Sequence, residues 1–238
     1  MADFKTHLIG ATLVTGAAAT TLATTTTGAA TTTGDTIGYF GAGIVGGLLP
    51  DLDSETSIPL RVAQRILSTV GTLLVVLNFA STYSVVELTL LAVGTYTVFK
   101  VGFELFGRLT THRGLFHSLP ATACFGLTAG LITHHSFGLD PLRSWFYASF
   151  LAIGVLTHLV LDELYSVNLL GAKIKKSFGS ALSLGDVSNP LGTAALYGTA
   201  VLLFVASAPT EEFLQVISDP ATYTKFFTRL WPEGSWFK

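Results

Sequence analysis

His158 and Asp162 stand four residues apart in Thr157-His158-Leu159-Val160-Leu161-Asp162. On a helix this spacing sets an imidazole and a carboxylate on one face, a turn apart. The pair can supply two metal ligands, or one ligand and the carboxylate that orients it. Three other stretches carry the same chemistry. His7 precedes a long uncharged run, and Asp51 and Asp53 follow a proline in Leu48-Leu49-Pro50-Asp51-Leu52-Asp53-Ser54. Extended chain after Pro50 lets both carboxylates turn toward one point. His112 and His117 flank Gly114 in Thr111-His112-Arg113-Gly114-Leu115-Phe116-His117-Ser118. Five residues apart, they do not share a helix face, so His112 reads as a loop residue and His117 as the opening of a helix.

Mixed imidazoles and carboxylates suit zinc first, then manganese or iron, whereas magnesium favours oxygen ligands. The candidate ligands are His7, Asp51, Asp53, His112, His117, His158 and Asp162, enough for one ion or two. A metal held this way acidifies water and polarises a phosphoryl oxygen. Arg113, inside the histidine motif, is suited to pair with a phosphate. One of Asp51, Asp53 or Asp162 would orient the attacking water or take its proton.

These residues need elements to position them. The chain has 238 residues, 50% of them hydrophobic and only 12% charged. Soluble domains carry about 25% charge, so composition argues against a water-soluble globule and against a disordered chain. A net charge of -2 offers nucleic-acid phosphates no counter-surface, and no direct nucleic-acid binding is expected. The single cysteine, Cys124, excludes an intrachain disulfide framework and a cysteine-based zinc ribbon. An all-α polytopic transmembrane helix bundle remains.

A span needs about 20 mostly apolar residues. Seven hydrophobic segments are candidates: 8–33, 36–50, 62–80, 85–106, 118–136, 143–161 and 190–208. The second is short for an upright span. It either extends back into the threonine-rich run or forms a re-entrant pair with the first. Residues 1–208 read as one membrane-embedded unit. Residues 209–238 read as an interfacial tail rich in aromatics, from Phe213 to Trp236 and Phe237.

With seven crossings, the N-terminus shares a side with 50–61, 107–117 and 162–189. That side holds Lys5, Arg61, Arg108, Arg113, Lys173, Lys175 and Lys176, while the opposite short loops hold only Arg143. The bias of basic residues places the first side in the cytoplasm. The same count puts all seven candidate ligands on that side, at about one depth. His134 and His135 fall at the far end of the fifth segment and read as interfacial residues.

His7-Leu8-Ile9-Gly10, Gly46-Gly47-Leu48-Leu49-Pro50-Asp51-Leu52-Asp53, His112-Arg113-Gly114-Leu115-Phe116-His117-Ser118 and His158-x-x-x-Asp162 together resemble the YdjM-like family of bacterial inner-membrane proteins, of the LexA-regulated type. The resemblance covers roughly residues 1–208. It implies a membrane-embedded metal-dependent hydrolase with those seven residues as its polar centre. It also implies a distant kinship with zinc-dependent phospholipases C and single-strand nucleases. The expected function is hydrolysis of a phosphoester in a lipid or lipid-linked substrate at the cytoplasmic face, with membrane lipids as partners. Two alternatives stand beside it: a divalent-cation transport protein, and a non-catalytic scaffold with a structural metal.

Overall fold

The computed structural model describes residues 2–25, 32–51, 58–109, 117–168, 173–174, 182–186 and 188–229. Helices occupy all seven expected segments: α1 Phe4–Thr25, α2 Thr33–Leu48, α3 Ile58–Phe79, α4 Val85–Leu109, α5 Leu119–His135, α6 Pro141–Ser166 and α7 Pro190–Ala206. Two short helices follow, α8 Glu211–Ser218 and α9 Pro220–Arg229. A two-residue antiparallel pairing of Val167–Asn168 with Lys173–Ile174 is the β-structure among the described residues, apart from one isolated bridge. The protein is thus a helical bundle.

Length and composition suit three helices for crossing a bilayer: α1, α4 through Val85–Gly102, and α6. A fourth crossing results if α7 and α8, bent by 97° at their junction, act as one span. The seven expected segments therefore yield three or four helices of spanning length. For α2, α5 and α7 the shortfall is one of length. The 16 residues of α2 and 17 of α5 and α7 rise only about 24–26 Å, against a hydrocarbon core of about 30 Å.

The threonine-rich segment divides differently from the 8–33 expectation. Helix α1 starts earlier because Asp3 Oδ1 accepts the Thr6 amide at 2.9 Å. A capping box starts α2 anew. Thr32 Oγ1 accepts the Asp35 amide at 3.2 Å, while Asp35 Oδ2 accepts the Thr32 amide at 2.9 Å. These side chains satisfy amides that a helix start leaves free. Within α1 the threonines bond back onto their own helix, as Thr15 Oγ1 does to the Ala11 carbonyl at 2.6 Å. That removes their polarity from the packing surface.

Helix α6 is the centre of the bundle, with α1, α2 and α5 packed on it and α7 on α5. Glycines bring α2 and α6 together. A Cβ on Gly154 would run into the Gly43 carbonyl and lie 2.8 Å from the Gly47 nitrogen, and one on Gly46 would run into the Leu151 carbonyl. Small residues permit such close approach inside a bilayer, where helix association rests on packing rather than on escape from water. Two apolar clusters fill the remaining space. Tyr39, Phe146, Phe150, Leu142 and Ala19 form the first, and Leu151, Val155 and Leu159 the second. Tyr39 stacks on Phe150 at 5.5 Å and meets Tyr147 edge-on at 4.8 Å.

Helices α3 and α4 pack mainly on each other as a hairpin. Val85, Leu90 and Val98 of α4 are exposed, as are Leu191, Leu202 and Val205 of α7. Such faces suit lipid. The far end of α7 is pinned by Trp145, whose Nε1 donates to the Ala208 carbonyl at 3.0 Å and the Pro209 carbonyl at 3.1 Å. Phe213 of α8 stacks on the same indole at 5.8 Å. The aromatic tail thus begins by folding back onto α6. Trp231, Trp236 and Phe237 lie outside the described residues.

Candidate metal centre

The chain delivers His7 at the start of α1 and Asp51 just after α2. It delivers His117 just before α5, and His158 and Asp162 in the last turns of α6. All five meet at one end of the bundle. Asp162 Oδ1 lies 3.3 Å from His7 Nε2, while its Oδ2 lies 3.8 Å from His117 Nε2 and 3.7 Å from His158 Nε2. Asp51 repeats the pattern from the other side. Its Oδ1 is 3.7 Å from His117 Nε2 and 3.6 Å from His158 Nε2, and its Oδ2 is 3.8 Å from His7 Nε2. Each carboxylate therefore turns one oxygen to His7 and the other to His117 and His158. The His7 and His158 rings stack at 3.6 Å with 10° between their planes.

Burial sharpens the chemistry. His7, His117, His158 and Asp162 are buried, while the Asp51 side chain is 22% exposed, the most exposed of the five. Among the described residues, six of the eight buried side-chain nitrogens and oxygens without a hydrogen-bond partner belong to this group: both ring nitrogens of His7 and of His117, His158 Nε2 and Asp162 Oδ2. An unpaired buried polar atom costs about 1–3 kcal/mol. Several gathered around one point make a set that a cation would satisfy together. Ligands about 2.1 Å from a common centre stand about 3.4 Å apart in a tetrahedron and about 3.6 Å apart in a trigonal plane. The observed separations of 3.3–3.8 Å fall at and just beyond these edges. Two ligand triads can be drawn, His7–Asp51–His158 and His117–His158–Asp162.

Groups behind the ligands fix their state. His158 Nδ1 lies 2.8 Å from the Gly47 carbonyl. A carbonyl only accepts, so Nδ1 carries the proton and Nε2 turns its lone pair to the centre. Asp162 Oδ1 accepts the Ala2 amide at 3.0 Å. Burial works to raise the Asp51 carboxyl, but the facing imidazoles of His117, His158 and His7 outweigh it and hold the group below the usual carboxylate value. Asp51 is therefore an anion at neutral pH, as a ligand or base must be.

Five of the seven candidate ligands thus come together. Asp53 and His112 lie outside the described residues, as does Arg113. His117 lies two residues before Leu119, the first of α5, because Ser118 between them caps that helix by accepting the Ala121 amide at 3.4 Å. At the other end of α5, His134 Nδ1 bonds the Leu139 carbonyl at 2.8 Å and His135 Nε2 the Ala206 carbonyl at 3.1 Å. They take no part in the centre. The Gly47 carbonyl and the Ala2 amide escape residue-type reasoning, since any residue has both groups. The Gly46-Gly47 pair is the one hint that backbone approaches closely there.

The fold and the site define a helical membrane protein with a buried centre of three histidines and two aspartates at one end of its bundle. The chain belongs to the YdjM inner membrane protein family, whose family model matches residues 1–174. The match ends short of residue 208, so α7, α8 and α9 lie beyond it. Neither the curated proteins nor the solved structures offer a match.

Proposed function

We propose that the protein is a membrane-bound metal-dependent hydrolase acting on a phosphoester of a lipid or lipid-linked substrate. The observation that carries this reading is the gathering of partnerless, buried imidazole nitrogens and an aspartate oxygen around the partly open Asp51. His7, His117, His158, Asp51 and Asp162 would hold the ion, zinc before manganese, iron or magnesium given the imidazole share. Asp53 and His112 are further candidate ligands for a second ion. A bound metal supplies Lewis acidity to water and to a phosphoryl oxygen.

The chain's own groups do the rest. The Gly47 carbonyl keeps His158 in the tautomer that can bind metal, and the Ala2 amide fixes the Asp162 carboxylate. Asp51, ionised and reachable, is suited to orient water or take its proton. Arg113 is assigned the substrate phosphate, which a guanidinium grips with two hydrogen bonds. Placement of the centre on the cytoplasmic side belongs to the same proposal, supported by the basic residues Lys5, Arg61, Arg108, Lys173, Lys175 and Lys176.

Asp51→Asn is the test. The amide keeps the shape but neither ligates as an anion nor takes a proton. Phosphoester turnover by the purified protein is expected to fall at least about 100-fold, within the range ascribed to general base catalysis. Unchanged turnover across a panel of phosphoesters would remove Asp51 from the mechanism. A structural metal is the second reading, favoured by the burial of four of the five side chains. It predicts bound metal with no exchangeable water and no turnover to lose.

A further inference from the structure

His117 is the single centre residue among the five that sits neither in a helix nor in the helical turn ending one. Something other than helix rigidity must hold its backbone. The described chain shows what does. Residues Ser118 and Ser183 form an isolated parallel β-bridge, and the Leu119 amide donates to the Ser183 carbonyl at 3.0 Å. The Ser183 hydroxyl also lies 3.4 Å from the His117 carbonyl, its donor geometry pointing the same way.

Residues 182–186 are themselves tied down from below. Thr193, in the first turn of α7, accepts the Asp186 amide on Oγ1 at 2.9 Å and returns a bond to the Asp186 carbonyl at 3.1 Å. Tyr197, one turn on, donates its hydroxyl to the Leu184 carbonyl at 2.9 Å. Gly185 lies against the Thr193 side chain so closely that a Cβ there would run into it. Asn189 starts α7 by accepting the Gly192 amide at 2.9 Å, and Asp186 Oδ1 accepts the Ser188 amide at 2.9 Å. A run of named hydrogen bonds thus leads from α7, through 182–186, to the backbone on either side of Ser118.

We propose that residues 182–186, anchored by Thr193 and Tyr197, form a strap that positions His117 for metal binding. This makes Ser183, Thr193 and Tyr197 positioning residues, beyond the stretch that the family model matches. The inference rests on the metal-binding reading of the centre. Groups that orient a ligand from behind are commonly worth about 10–100-fold in metal affinity.

The decisive variant is Thr193→Val, which keeps the side-chain shape and removes both bonds to Asp186. Full-length protein in detergent is titrated with cobalt(II), whose visible absorption reports ligand geometry, and with zinc(II) in competition. Thr193→Val is expected to weaken metal binding about tenfold and to alter the cobalt spectrum, with helix content unchanged. Thr193→Ser, which restores the hydroxyl, is expected to restore both. Amide exchange at Leu119 supplies a readout independent of metal, and it should speed up in the valine variant.

Wild-type affinity, spectrum and Leu119 protection in Thr193→Val would overturn the strap. If the wild type takes up no metal, the metal-binding reading fails, and unchanged Leu119 protection then overturns the strap on its own. Should Thr193→Val not fold, Tyr197→Phe carries the same test with the same outcomes.

Discussion

His158→Ala is expected to lower metal affinity at least about 100-fold and to leave the helices in place. The first half follows from the hub position of this residue. Its Nε2 stands between Asp51 Oδ1 at 3.6 Å and Asp162 Oδ2 at 3.7 Å, and its ring stacks on His7. Both candidate ligand triads contain it. Removal therefore takes a ligand, the ring that orders His7, and the anchor to the Gly47 carbonyl. The second half follows from the packing around it, where Val155 and Leu159 remain to fill the α6 core. His158→Ala combined with Asp162→Ala should leave no measurable metal. Elemental analysis beside circular dichroism separates loss of metal from loss of fold. Because ligating imidazoles and carboxylates must be deprotonated, metal in the wild type should also be released on acidification.

The second large effect is expected from a residue that touches no candidate ligand. Gly154→Val should strip the protein of both metal and stability. The close approach at Gly154 leaves no room even for a methyl group beside the Gly43 carbonyl and the Gly47 nitrogen. Both contacts are backbone atoms, which cannot swing aside. Overpacking of this kind costs about 1–3 kcal/mol and sometimes more. Here the strain acts on the α2–α6 interface, which carries the Gly47 carbonyl to His158 and Asp51 to the centre. A lower thermal midpoint in detergent together with lost metal is the expected pair of results. Gly198→Val in α7, where added atoms meet open space, is the matched control and should change neither.

Much of this architecture is legible in the sequence for a physical reason. Runs of apolar residues between polar breaks must become helices in lipid, and each expected segment did form one. Their crossing lengths were less legible. Hydropathy does not reveal where a capping box such as Thr32–Asp35 cuts a run, nor that α7 turns by 97° into α8. The centre was readable wherever residue type carries the chemistry. Counting crossings put all seven candidate ligands on one side; His7, Asp51, His117, His158 and Asp162 stand together in the structure, while Asp53 and His112 lie outside the described residues. The Gly47 carbonyl and the 182–186 strap were not readable, because backbone hydrogen bonds leave no mark in side-chain identity.

The central claim is that these three histidines and two aspartates bind a metal ion. Elemental mass spectrometry of wild-type protein purified in mild detergent, after exposure to zinc and manganese and removal of excess ion, tests it most directly. About one or two tightly held equivalents per chain are expected from the donor count. Absence of bound metal from a folded, helical preparation would contradict the account, and would leave the cluster as a buried polar joint between α1, α2, α5 and α6.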